Sequence, residues 1–188
     1  MNAERIVLSI DTSDLQSARD LAKLAKENGA KVVKFGLEFS TAYNWQQCAA
    51  IAKEYGLGWI ADAKLDDIPH TVEMAVKNIC QLKPRPIGIT VHIKAGDETL
   101  RLAQTAAGRT IIFGVTELTA IPEDETLEKY TLHRDEFVKR LLNFATRAGI
   151  KGAVVSGHEI KMLRQMACSL LCLVFDLTPL RKTINRTP

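Results

Sequence analysis

The sequence predicts an α/β fold of the (β/α)8, TIM-barrel type, and three observations carry that reading. Short β-branched runs alternate with amphipathic stretches six times in succession, an order that demands a parallel sheet. Polar residues gather where those runs end: Asp11, Lys34, Asp62 with Lys64, His92, Thr116 and Ser156. That is the distribution a barrel mouth requires. An open doubly wound sheet, the competing architecture, usually carries a glycine-rich first turn, and no Gly-x-Gly-x-x-Gly is present.

The elements follow in order. Residues 5–11 form a β-branched run ending in an acid, and Thr12, Ser13 and Asp14 are cap candidates for a helix that stops at Asn28-Gly29. The second unit pairs a strand over 31–36 with a helix from about Thr41 to Tyr55, closed by Gly56. A strand over 58–65 precedes a helix from about Pro69 to Leu82. The fourth strand is 87–92 with its helix over 98–107; the fifth is 110–116, followed by a longer loop and a helix over 133–148. The sixth strand, 152–156, leads to a helix over 159–166.

Composition narrows the setting. With 188 residues, 46% of them hydrophobic, the chain can bury a substantial single core. Its 25 basic and 22 acidic residues are spread along the whole length, and only Arg181, Lys182 and Arg186 cluster, so no nucleic-acid partner is expected. No apolar stretch reaches bilayer length and the first residues lack a signal-peptide apolar region, so no membrane association and a cytoplasmic location are expected. Cys48, Cys80, Cys168 and Cys172 have no paired metal-type spacing and read as small buried hydrophobes.

The segment from Asp62 to Thr71 carries the chemistry. In a strand, the period of two points Asp62 and Lys64 to the same face. An acid and a lysine ending an otherwise apolar run must face a polar cavity or pair with each other. A catalytic site satisfies the first condition. Plainer readings exist for each residue: Asp66-Asp67-Ile68-Pro69 is also a sound helix start, Asp11 and Lys34 taken singly could be surface residues, and Thr119 an ordinary loop hydroxyl. His92 and Ser156 read as structural polar residues of the rim.

Taken together, Ser9-Ile10-Asp11, Lys34-Phe35-Gly36, Asp62-x-Lys64-x-x-Asp67-Ile68-Pro69-x-Thr71, Val91-His92, Val115-Thr116-x-Leu118-Thr119 and Val155-Ser156 resemble, in order and spacing, the orotidine 5′-phosphate decarboxylase family. The resemblance covers residues 5 to 165. It implies removal of the C6 carboxylate of orotidine 5′-phosphate to give uridine 5′-phosphate in pyrimidine biosynthesis, without metal or organic cofactor. Lys64 would stabilise the carbanion at C6 and protonate it, Asp62 would lie beside the departing carboxylate, and Lys34 would hold Asp62 and the ribose. Asp11 would bind ribose hydroxyls and Thr119 the pyrimidine. The resemblance further implies a homodimer in which Asp67, Ile68 and Thr71 complete the neighbouring subunit's site.

The chain departs from the family at its C-terminus. Members continue through a seventh strand ending Pro-Gly-Ile-Arg, an acidic loop with glutamine, and an eighth strand ending Gly-Arg that binds phosphate. Here the residues from Cys168 onward match none of this, although the codons of 172–177, read one frame over, permit Pro-Gly-Ile-Arg-Pro. The expectation is an incomplete barrel over 1–165, broken after the sixth strand-helix unit, and an out-of-frame tail over 166–188 in place of strands seven and eight. The apolar run 169–175 is expected to lie where strand seven belongs, and loss of the phosphate arginine to lower activity. Two alternatives stay open: a metal-dependent sugar-phosphate lyase on the same scaffold, against which Lys34 argues, and a non-catalytic remnant.

Overall fold

The computed structural model describes residues 6–118, 120–157, 159–160 and 171–174. Its strands are β1 (Val7–Ile10), β2 (Val32–Phe35), β3 (Gly58–Leu65), β4 (Gly88–His92), β5 (Ile111–Val115), β6 (Gly152–Val155) and β7 (Leu171–Val174). They form one parallel sheet in sequence order, with β1 and β7 as its two edges among the described residues. The barrel is therefore open. Strand β7 aligns Leu171 with Gly152 and Val174 with Val155, so the sheet runs one strand past the six units read from the sequence, at the place expected for the apolar run 169–175.

The helices are α1 (Leu15–Glu27), α2 (Leu37–Glu54), α3 (Pro69–Gln81), α4 (Asp97–Ala107), α5 (Glu123–Tyr130) and α6 (Arg134–Arg147). Asp14 caps α1 by accepting the Ser17 N–H at 2.7 Å. Helix α2 starts four residues before the expected Thr41 because it is two pieces joined at a kink: Asn44, at φ 66°, breaks the first and its side chain accepts the Gln47 N–H to start the second. The loop expected before α6 contains α5. Its apolar period is too weak to read, since only Thr126 is buried; Glu123, Asp124 and Glu125 favour its N-terminus, and a Glu125–Lys129 pair spans one turn. Of the helix expected over 159–166, all but 159–160 lies outside the described residues.

The core lies between the sheet and its helices. Phe35 meets Trp59 edge to face and Phe39 at a tilt, and the Trp59 indole N–H donates to the Pro84 carbonyl at 2.9 Å, so a fully buried aromatic keeps its polar atom satisfied. Burying each such ring contributes about 1.5–3 kcal/mol. On the sheet, Phe113 of β5 fills the room left by Gly88 on β4 and Gly152 on β6; a Cβ at either would stand 2.4 or 2.5 Å from its ring. Small residues facing a large one let neighbouring strands share a single layer.

Candidate active site

Strand β3 is regular as far as Ala61, which aligns with Ile89; the next aligned pair is Leu65 with Val91, four residues on against two. The extra backbone bulges, and Lys64 takes φ 45° there, a left-handed conformation that costs a non-glycine residue energy. The bulge is held by Thr90 of β4. Its hydroxyl accepts the Lys64 backbone N–H at 2.8 Å and donates to Asp62 Oδ1 at 2.9 Å, tying the strand's shape to the position of its acid.

Asp62 lies at the centre. Its Oδ2 stands 2.6 Å from Lys34 Nζ and 2.8 Å from Lys64 Nζ, and the residue is 2% exposed. Burial works against its negative charge, but the two ammonium groups and their hydrogen bonds prevail and lower the pKa below the usual carboxylate value. The resulting unit is a buried carboxylate between two lysines, Lys34 closed off from solvent and Lys64 partly open to it. Lys64 is thus held at a fixed place with a face toward the cavity.

Asp11, at the end of β1, puts Oδ1 3.9 Å from Lys34 Nζ and accepts the Ser9 hydroxyl at 2.7 Å on Oδ2. Gly36 makes room for it: a Cβ at that position would stand 2.5 Å from Asp11 Oδ1. The cavity, about 240 Å³, is lined by Asp11, Lys34, Asp62 and Lys64 on one side and by Glu117, Leu118 and Ser156 on the other. Burial raises the Glu117 pKa. A small polar ligand fits a space of this size and composition.

Four of the residues singled out from the sequence therefore converge: Asp11, Lys34, Asp62 and Lys64. Asp67, Ile68 and Thr71 are exposed and do not line their own chain's cavity; Asp67 Oδ1 accepts the Ile68 N–H at 2.7 Å, a local turn bond. Thr119 lies outside the described residues. His92 is buried with Nδ1 unpartnered among the described residues, and desolvation lowers its pKa. Ser156 lines the cavity, while its backbone N–H donates to Glu159 Oε2 at 2.7 Å. Thr90 and Glu117 escape a sequence reading. The faint signal for Thr90 was a lone hydroxyl two residues before His92, on the same face of an otherwise apolar strand.

Comparison with known proteins places this geometry. Residues 4–184 match the model of the family described as orotidine 5′-phosphate decarboxylase / HUMPS. The orotidine 5′-phosphate decarboxylase of Sphingopyxis alaskensis is 36% identical over 163 residues, covering 85% of this chain and 70% of the relative. That of Erythrobacter litoralis is 35% identical over 158 residues, covering 82% and 68%. In fold, the inhibitor-bound orotidine 5′-monophosphate decarboxylase of Methanocaldococcus jannaschii superposes with a TM-score of 0.74 at 21% identity, over 90% of this chain and 76% of that one. An uncharacterized conserved protein of Geobacillus kaustophilus gives a TM-score of 0.76 at 22% identity, over 95% and 96%.

Proposed function

The chain belongs to the orotidine 5′-phosphate decarboxylase / HUMPS family, and from that membership we propose that it is a carboxy-lyase converting orotidine 5′-phosphate to uridine 5′-phosphate in pyrimidine biosynthesis. The observation that carries the reading is the Lys34–Asp62–Lys64 unit at the cavity wall. In the reaction the C6–carboxylate bond breaks, carbon dioxide leaves, and the electron pair stays on C6. An ammonium beside that carbon offsets the growing charge, then gives C6 its proton and becomes an amine that solvent reprotonates. Lys64 suits this role. Its Nζ bonds Asp62, which holds it in place, and its side chain is one-third exposed, which leaves a path for the replacement proton.

Asp62 would stand beside the departing carboxylate, and its second oxygen accepts the Thr90 hydroxyl, which holds it in place. Lys34 neutralises it from behind and also faces Asp11, which would hold the ribose hydroxyls. Thr119 is proposed to contact the pyrimidine. A cofactor-free, cytoplasmic homodimer completes the proposal, with Asp67, Ile68 and Thr71 reaching the neighbour's site; Ile68 is 65% exposed, an apolar side chain that a partner surface would cover. No described helix is long and apolar enough to cross a membrane.

The test is loss of orotidine 5′-phosphate absorbance in the presence and absence of magnesium, with sedimentation at several protein concentrations. Turnover unaffected by chelator and a dimer are expected. Magnesium-dependent cleavage of a sugar phosphate, with none of the nucleotide, would replace the proposal with the lyase reading.

A further inference from the structure

The cavity wall opposite Lys64 depends on a turn that has its own clamp. Strand β5 ends at Val115, and after Thr116 the residues Glu117 and Leu118 line the cavity before the chain reaches Ile121, whose N–H donates to the Leu118 carbonyl at 3.0 Å. Arg134, first residue of α6, reaches this turn from outside. One guanidinium nitrogen, Nη1, donates to the Leu118 carbonyl at 3.4 Å, and Nη2 donates to the Ile121 carbonyl. Its Nε lies 3.7 Å from Glu123 Oε2, while its backbone N–H donates to Glu123 Oε1 at 3.1 Å. The side chain is 20% exposed. One planar fork therefore holds both ends of the turn, and Glu123 aims the fork.

We propose that Arg134 is a positioning residue that fixes the Glu117–Leu118 wall of the cavity, so that nucleotide affinity depends on a guanidinium that does not touch the nucleotide. The inference rests on the reading of the cavity as the orotidine 5′-phosphate site. A lysine cannot reproduce it, because a single ammonium lacks the rigid two-pronged geometry that reaches two carbonyls at once. Without the fork, the described residues of the turn keep their internal Ile121–Leu118 bond alone, the wall loosens, and each binding event must first order it.

The test compares Arg134→Lys and Arg134→Gln with Lys129→Gln, which breaks the exposed Glu125–Lys129 pair of α5 but leaves the turn alone. Three readouts apply: backbone hydrogen exchange at Ile121, steady-state kinetics with orotidine 5′-phosphate, and calorimetric binding of uridine 5′-phosphate. In both Arg134 variants the expectation is faster exchange at Ile121, with KM and the uridine 5′-phosphate Kd raised about tenfold, the loss of roughly one charge-assisted hydrogen bond. Values of kcat stay within a factor of about two, as for an interaction shared by ground and transition states. Lys129→Gln should match the parent. Unchanged exchange and KM in Arg134→Lys, equal effects in Lys129→Gln, or a fall in kcat at constant KM would each overturn the proposal. If the parent neither binds nor converts nucleotide, the functional reading fails, and exchange at Ile121 still accepts or rejects the clamp.

Discussion

Replacing Thr90 by Val removes one oxygen and keeps the shape, which makes it a sharp probe of how the site is held. The hydroxyl makes two short bonds, donating to Asp62 Oδ1 at 2.9 Å and accepting the Lys64 N–H at 2.8 Å, and Thr90 is fully buried. Valine satisfies neither. Two buried bonds, one to a charged acceptor, give an expected loss of about 3 kcal/mol, or roughly 6–12 °C in Tm for a domain of this size. Activity should fall further than stability implies, because Lys64 is held at φ 45° by the bond that is lost. Its relaxation would displace the ammonium, and a displacement of about 1 Å can cost roughly 100-fold in rate. The assays are urea unfolding and decarboxylation kinetics, with Thr90→Ser as the control that keeps the oxygen. Should Thr90→Val unfold within about 0.5 kcal/mol of the parent and turn over at the same kcat, the account of Thr90 as the link between strand shape and acid is wrong.

Asp62→Asn removes the carboxylate charge 2.6 Å from buried Lys34 and should destabilise by about 3–5 kcal/mol, much of which Asp62→Asn with Lys34→Met recovers in a double-mutant cycle. Because the folded pKa of Asp62 is lowered, its contribution is complete above the ordinary carboxylate range and is lost as pH falls through the lower folded value; acid unfolding of the parent should show this loss and Asp62→Asn should not. Glu159 has the opposite sign: burial raises its pKa, so its contribution is present at low pH and lost as pH rises through the folded value. Glu159→Gln should therefore gain Tm near pH 8 and little near pH 4, read by thermal scans across pH. Gly36→Ala puts a methyl 2.5 Å from the Asp11 carboxylate, which is half-exposed and can swing away. The expected result is a KM raised roughly tenfold with Tm nearly unchanged.

The sequence by itself determined the alternation of strands and helices and four of the residues that line the cavity, Asp11, Lys34, Asp62 and Lys64. Each strand carries its own β-branched run and each helix its own apolar stripe, and these are local properties that neighbours a few residues away decide. Asp62 and Lys64 were legible because two residues on one strand share a face whatever the rest of the chain does. Helix α5 was hidden, since its surface charges carry no buried stripe to read. What only the tertiary structure decided was the pairing: Lys34 meets Asp62 from 28 residues away, and Thr90 meets it from 28 residues on the other side. Those contacts depend on the register of β2 and β4 against β3 and on a bulge that local preference resists. A left-handed lysine is unfavourable alone and persists because its neighbours' bonds hold it there. No single segment contains that energy, so no segment could announce it.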